Sequence, residues 1–318
     1  MSVANLIVIN PVVKSLELLG DRWTILILRD AFLGRHRFEE FRSHTGASRS
    51  TLSKRLENLV AQDVLYKKPY QTTPLRHEYR LTKKGLDLYP WALLIWAWES
   101  QWCGDQQQLP PKLIHRLPDE HELQPMVVCR HCQQELHITD VEREVLSDSV
   151  ESDVQALKTI GNQRRSRGGR GTEEDSSLGH ITDIIGDRWA SLILAAAFMG
   201  LQRYDDFRRQ LGIATNILAD RLKRLSDAGV FDRIEYQSKP PRSEYRLTEK
   251  GKALYPFTMM MRQWSLDWLD AMEDAPFTLI HKPCGHELAV DVICKGCSAV
   301  PNPKEVSYQN GNAQNSDH

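Results

Sequence analysis

The sequence predicts a mainly α-helical fold with small β hairpins, built twice over in one chain. Three observations carry that expectation. A domain-length segment recurs at a fixed offset, helical periodicity gives way once per copy to a strand–turn–strand stretch, and a Cys-x-x-Cys pair follows each copy.

The recurrence comes first. Gly20-Asp21-Arg22-Trp23 returns as Gly186-Asp187-Arg188-Trp189, an offset of 166, and the same offset relates Tyr79-Arg80-Leu81-Thr82 to Tyr245-Arg246-Leu247-Thr248. Residues 20–102 laid on 186–268 without gaps share 35 identities in 83 positions, where chance gives about five. A period this long is a duplicated domain rather than a solenoid repeat. It agrees with the two domains expected for 318 residues.

Within the first copy, Val12, Val13, Leu16 and Leu19 recur at helical spacing and Gly20 ends the helix. Asp21 is an N-cap candidate for a second helix carrying Ile25, Leu26, Leu28 and Phe32, which Gly34 stops. A short helix follows with Phe38 and Phe41 on one face. After Thr45-Gly46-Ala47-Ser48 comes a helix with Leu52, Leu56 and Leu59. Short helix, glycine turn and amphipathic helix make a helix-turn-helix. Val64 to Tyr70 and His77 to Leu81 then read as strands around Thr72-Thr73-Pro74. Thr82 should cap one long Trp-rich helix from about 83 to 103. The expected fold is therefore mainly α with small β wings (α+β): two winged helix-turn-helix domains.

These residues resemble the HxlR-type winged helix-turn-helix regulators of bacteria. The resemblance rests on Gly-Asp-Arg-Trp, Arg37-Phe38 with Phe41, Leu52-x-x-Arg55-Leu56-x-x-Leu59, the wing string Arg76-x-Glu78-Tyr79-x-Leu81-Thr82-x-x-Gly85, Tyr89-Pro90 and Trp98. Copy two matches at Arg203-Tyr204, Phe207, Leu218, Arg221-Leu222, Leu225, Arg242, Glu244-Tyr245, Leu247-Thr248, Gly251, Pro256 and Trp264. The resemblance implies a cytoplasmic transcriptional regulator that binds double-stranded DNA. It also implies dimerisation through terminal helices, so a single chain with two modules can act as its own dimer, alone or as a homodimer of chains. The Trp-rich helix with Trp91, Trp96, Trp98 and Trp102, and its counterpart with Phe257, Met259, Met260, Trp264 and Trp268, are the expected packing seam, and a small hydrophobic effector could lodge there. Some relatives sense thiol stress through a cysteine just before the first helix; Asn10 and Ser176 stand there in this chain.

Charge points the same way independently. The net charge of −1 excludes a uniformly basic nucleic-acid coat, yet residues 34–84 hold 12 Lys/Arg against 5 Asp/Glu and residues 200–250 hold 11 against 8. The local balances are +7 and +3, leaving about −11 elsewhere. Basic charge is thus concentrated where phosphates would lie. Candidate DNA contacts on the first module are Arg37, Ser48, Arg49, Ser50, Thr51, Lys54, Arg55, Lys67, Lys68 and Arg76. On the second they are Arg203, Thr215, Asn216, Arg221, Lys223, Arg233, Lys239 and Arg242. Arg49 has the fork that suits guanine, and Asn216 can read adenine. Ser48 also reads as an N-cap, and Arg55 and Arg221 read equally as phosphate contacts or as internal ion-pair partners. Arg49, Ser50 and Lys54 become Thr215, Asn216 and Asp220, so the two reading surfaces should be unequal. Asp220 would repel phosphate unless it faces a cytosine amine or an arginine.

Cys129-x-x-Cys132 and Cys294-x-x-Cys297 have zinc-knuckle spacing, and His281-x-x-Cys284 precedes the second pair. His281, Cys284, Cys294 and Cys297 therefore form one expected structural Zn2+ set. His115, His121, Cys129 and Cys132 form a weaker one, because the first copy has no partner for Cys284. A redox pair or a metal-free ribbon are the other readings. Cys103 reads as a helix-packing residue.

The expected layout is a winged domain over 1–108, a zinc-ribbon-like segment over 109–145, a linker over 146–177, a second winged domain over 178–274, a second ribbon over 275–301 and a disordered tail over 302–318. The arginines of 163–177 read as a solvated tether. No stretch is long and apolar enough for a membrane helix and the N-terminus lacks a signal-peptide pattern. No nucleophile–base–carboxylate set or phosphate loop suggests an enzyme. The competing function class is a zinc-stabilised protein–protein adaptor built on winged domains.

Overall fold

The computed structural model describes residues 11–102, 112–145, 178–239, 241–269 and 277–309. The expected linker, Cys103, Asn10, Ser176 and the last nine residues lie outside them.

In the first repeat, α1 (Pro11–Leu19) buries Val12, Val13, Leu16 and Leu19, and α2 (Arg22–Phe32) buries Ile25, Leu26 and Leu28. The helix-turn-helix is α3 (Phe38–Thr45) and α4 (Arg49–Ala61). Gly46 closes α3 at a left-handed φ of 67°. At its other end the Glu40 carboxylate accepts the N–H groups of His36 and Arg37, each at 2.8 Å. Leu52, Leu56 and Leu59 of α4 are fully buried. The wing pairs β1 (Leu65–Thr72) antiparallel to β2 (Leu75–Leu81), with a bulge between Pro69 and Gln71.

The long helix expected from residue 83 is interrupted. Thr82 caps only α5 (Lys83–Leu86), and α6 (Tyr89–Trp102) starts afresh. Pro90 is the reason: it has no N–H to bond back to the Leu86 carbonyl, so the helix cannot run through it and begins anew with Pro90 in its first turn. At Gly85 a Cβ would lie 2.2 Å from the Val64 carbonyl oxygen, so only glycine lets this short helix close on the wing.

The first repeat continues with β3 (Lys112–His115), β4 (His121–Glu122), β5 (Pro125–Cys129) and β6 (Val141–Val145). The second repeat then supplies α7 (Gly179–Ile185), α8 (Arg188–Phe198), α9 (Tyr204–Leu211), α10 (Thr215–Asp227), β7 (Phe231–Ser238) and β8 (Pro241–Leu247). It closes with α11 (Glu249–Lys252), α12 (Tyr255–Trp268), β9 (Phe277–His281), β10 (His286–Glu287), β11 (Val290–Cys294) and β12 (Val306–Gln309). Gly251 meets the Val230 carbonyl as Gly85 meets Val64, with a Cβ distance of 2.3 Å.

One local difference between the repeats has an energetic consequence. Ser48 Oγ accepts the Thr51 N–H at 3.2 Å at the start of α4, whereas Ala214 offers α10 no side-chain cap. Ser48→Ala should therefore cost about 1 kcal/mol and Ala214→Ser should add about as much. Urea midpoints check this, and two unchanged midpoints would contradict it.

The chain forms two compact units, and each draws on both repeats. The first unit takes residues 11–21, 127–145 and 183–290; the second takes 22–126, 178–182 and 291–309. In the first unit α1 lies along α12. Arg188 donates to the carbonyl oxygens of Leu16 at 3.1 Å and Glu17 at 2.6 Å, a cation on the last-turn carbonyls of α1. In the second unit the buried Glu99 carboxylate of α6 accepts the N–H groups of His180 at 3.1 Å and Ile181 at 2.7 Å, an anion at the start of α7.

The small sheets follow the same rule. In the first unit β6, from the first repeat, pairs with β9 from Val141 opposite His281 to Val145 opposite Phe277, giving the order β10-β9-β6. In the second unit β12, from the second repeat, pairs with β3, giving β12-β3-β4. The expectation of disorder over 302–318 is thus corrected for 302–309. Hydrogen bonding to β3 orders this polar segment, and Val306 packs on a cluster with Phe32, Tyr89 and Leu93.

Candidate nucleic-acid interface and metal centres

On the second unit the reading helix α4 presents Arg49, Ser50 and Lys54 to solvent, with Thr51 and Arg55 half-buried. Ser48 is the N-cap and also meets the hydroxyls of Ser50 at 3.2 Å and Thr51 at 2.9 Å. Arg49 is held in place: its guanidinium donates to Glu39 at 2.7 Å and lies over the Phe38 ring at 5.5 Å. Arg42 also pairs with Glu39, at 2.6 Å, and these two guanidinium groups keep the Glu39 carboxyl below its usual range. Glu39 and Phe38 were not among the candidates, because no local spacing ties residue 39 to residue 49.

The wing carries Lys67, Lys68 and Arg76, all exposed. Arg37 stands over the wing residue Tyr70 at 4.6 Å, and Arg203 over Tyr236 at 5.2 Å. These two wing tyrosines are equivalent in the repeats. Their role, holding a cation against the outer half of the wing, is visible only in three dimensions.

On the first unit α10 exposes Thr215, Asn216 and Lys223, and its wing exposes Arg233, Lys239 and Arg242. More of these charges are already engaged. Lys223 pairs with Asp227 at 2.6 Å, and Arg233 donates to Ser243 Oγ at 3.0 Å. Arg221 is an internal ion-pair partner: it bonds Asp187 at 2.8 Å, itself the N-cap of α8, and also Asp220. Asp220 in addition meets Arg224 at 2.9 Å, so its carboxylate faces arginines and stays below its usual pKa despite partial burial.

The eight candidate metal ligands come together in two clusters, but not in the sets that chain order suggests. His115 and His121 of the first repeat join Cys294 and Cys297 of the second; Cys129 and Cys132 of the first join His281 and Cys284 of the second. Each cluster lies inside one compact unit, the former in the second unit and the latter in the first. The expected set of His281, Cys284, Cys294 and Cys297 is therefore corrected, as is that of His115, His121, Cys129 and Cys132. Duplication makes the two ribbons near-equivalent, and the strands that carry the ligands are the ones the units exchange.

Both clusters fit a tetrahedral ion. Bonds of about 2.0–2.3 Å give tetrahedron edges of about 3.3–3.8 Å. In one cluster Cys129 Sγ lies 3.9 Å from Cys284 Sγ, and His281 Nδ1 lies 3.3 Å from Cys284 and 3.4 Å from Cys132. In the other, His121 Nε2 is 3.2 Å from Cys294 and His115 Nδ1 is 3.3 Å from Cys297. His121 Nδ1 donates to the Asp119 carbonyl at 2.5 Å, which turns the Nε2 lone pair toward the sulfurs. Gly296 makes room for that ring, since a Cβ there would lie 3.0 Å from His121 Cδ2. Burial opposes a thiolate at Cys294, but hydrogen bonds from the Gln124 backbone, His121, the Gly296 backbone and His115 outweigh it and bring the thiol down to about 6. Four protein donors per cluster suit a structural site and leave no open position for catalysis.

Two helix-turn-helix motifs, each with an arginine- and lysine-bearing wing, define a winged helix-turn-helix protein of the DNA-binding class. Comparison with known proteins agrees: the HxlR-like helix-turn-helix family matches residues 18–107 and again 184–273, more than half of the chain. The chain belongs to that family, with its domain present twice. An uncharacterized HTH-type transcriptional regulator of Mycobacterium tuberculosis is 37% identical over 138 residues, 43% of this chain and 87% of that protein. The uncharacterized HTH-type transcriptional regulator YvaP of Bacillus subtilis is 37% identical over 89 residues, 28% of this chain and 82% of its own length. The solved structure of PA1607 is 34% identical, covering 41% of this chain and 90% of that one, with a TM-score of 0.36. No helix among the described residues is long and apolar enough to cross a membrane.

Proposed function

We propose that this helix-turn-helix transcriptional regulator binds double-stranded DNA as an intramolecular pseudo-dimer, its two modules reading a pair of non-identical half-sites. The observation that carries the reading is reciprocal completion. Each unit is closed by a terminal helix segment and ribbon strands from the other repeat, the type of exchange that otherwise joins two protomers. Structural zinc in the two clusters, one Cys2His2 and one Cys3His, locks these exchanged strands in place. The side chains at the start of α4 and α10 supply base contacts, and the wing cations Lys67, Lys68, Arg76, Arg233, Lys239 and Arg242 supply phosphate contacts. Half-sites read this way lie about one helical turn, ~34 Å, apart.

The test is a titration of the purified chain onto fragments from upstream of its own gene at several salt concentrations, with the stoichiometry of the complex measured alongside. One chain per pair of half-sites is expected, with affinity falling steeply as salt rises. Two chains per site would remove the pseudo-dimer while leaving the regulator. Absence of specific binding at low salt would favour the adaptor instead.

A further inference from the structure

Each unit has its own pocket, open on one side, at an equivalent place between the closing helix and the ribbon sheet, but the duplicated positions have diverged. In the second unit Arg29, Phe32, Tyr89, Leu93 and Trp96 leave only about 60 Å³. Their counterparts at offset 166 in the first unit are Ala195, Phe198, Tyr255, Met259 and Arg262, and the cavity there is about 210 Å³. Alanine in place of Arg29 and arginine in place of Trp96 open the space. An enclosed apolar cavity of about 150 Å³ takes up benzene, so the larger cavity holds one substituted ring.

The buried charge in its lining is Arg262. This side chain is 3% exposed, its Nη1 reaches only the Leu288 carbonyl at 3.4 Å, and its Nε has no hydrogen-bond partner among the described residues. Glu287 acts on it through space without forming an ion pair. In the second unit, by contrast, the buried Arg29 is matched by the buried Asp30 at 2.8 Å. A buried guanidinium without an adjacent carboxylate is costly, and a ligand carboxylate accepting its N–H groups removes that cost. The walls beside it are aromatic, with the Phe198 and Tyr255 rings edge to face at 5.3 Å. At the rim the exposed Glu142 and Arg143 offset one another, so the interior offers a single positive charge.

We propose that the first unit's cavity is a binding site for a small aromatic monocarboxylate, with the carboxylate on Arg262 and the ring between Phe198, Tyr255 and Met259. The second unit, whose cavity is smaller and whose arginine is neutralised, does not share the site.

Calorimetry and thermal shift on the full chain with benzoate, phenylacetate and cinnamate test this, with benzamide as the uncharged isostere. At least one acid should bind the wild type at one site per chain and raise Tm. Arg262→Met should fold and should weaken that acid about ten- to a hundredfold, the loss of a charge-assisted hydrogen bond. Benzamide should be weaker by a similar factor. Benzamide binding the wild type as tightly as the best-binding acid would overturn the proposal without recourse to any variant. So would equal affinity of R262M and wild type, two equivalents bound per chain, or no binding of any of the three acids at millimolar concentration.

Discussion

Cys284→Ser combined with Cys294→Ser should strip the chain of both bound zinc ions, taking a content of two per chain to none. Each single variant should lose one. The double variant is decisive because these two cysteines belong to different clusters: Cys284 closes the set with Cys129, Cys132 and His281, and Cys294 the set with His115, His121 and Cys297. If the ligands were grouped by chain order, both cysteines would serve one ion and the double variant would keep the other. Metal analysis of the purified proteins separates the two outcomes. The structural effect should be large, since binding of a structural zinc is worth about 10–16 kcal/mol in small zinc domains. In the second unit the cluster is continuous with its core, where Cys294 packs among Tyr89, Leu93 and Leu123. Loss of that ion should therefore loosen the seat of α6 as well as the ribbon.

The second large effect concerns DNA. Arg49→Ala with Lys67→Ala and Lys68→Ala should reduce affinity for the operator about a hundredfold or more. The slope of log affinity against log salt should flatten by about 0.9 for each phosphate that is no longer neutralised. A triple variant of the candidate contacts on the other module, Thr215→Ala, Asn216→Ala and Arg233→Ala, should weaken binding only about tenfold. The inequality follows from how the charges are used. Arg49 is exposed yet positioned by Glu39 and Phe38, and Lys67 and Lys68 are exposed on the wing. On the other module Arg233 already bonds Ser243, and Asp220 occupies the turn where the first module has Lys54. Equal effects of the two triple variants would end the idea of unequal reading heads.

Much of the fold is legible in the sequence because its determinants are local. The spacing of Leu52, Leu56 and Leu59 marks the buried face of α4, Ser48 and Thr82 mark helix starts, and the alternation around Thr73-Pro74 marks the wing. The break between α5 and α6 is also written locally, in Tyr89-Pro90, but the apolar run around it masks the signal. The candidate site is less legible. The ion pair of Arg221 with Asp187 spans 34 residues, and the Arg49–Glu39 pair crosses from one helix of the motif to the other. Neither leaves a spacing to recognise. The ordered strand β12 reads as a polar tail because its hydrogen bonds are made by backbone, which composition does not register.

The chain alone specifies that one domain is duplicated, that each copy is a winged helix-turn-helix, that basic charge gathers on the helix-turn-helix and wing, and which eight histidines and cysteines are candidate metal ligands. How those eight are shared is settled in three dimensions. Duplication gives His115, Cys129 and Cys132 near-equivalent counterparts in His281, Cys294 and Cys297, so spacing along the chain cannot distinguish a set closed within one repeat from a set closed across two. His121 and Cys294 meet across 173 residues, and Cys129 and Cys284 across 155. A four-ligand centre is a simultaneous contact of four side chains, and the choice between degenerate groupings is made by which strands and terminal helices pack into the same compact unit.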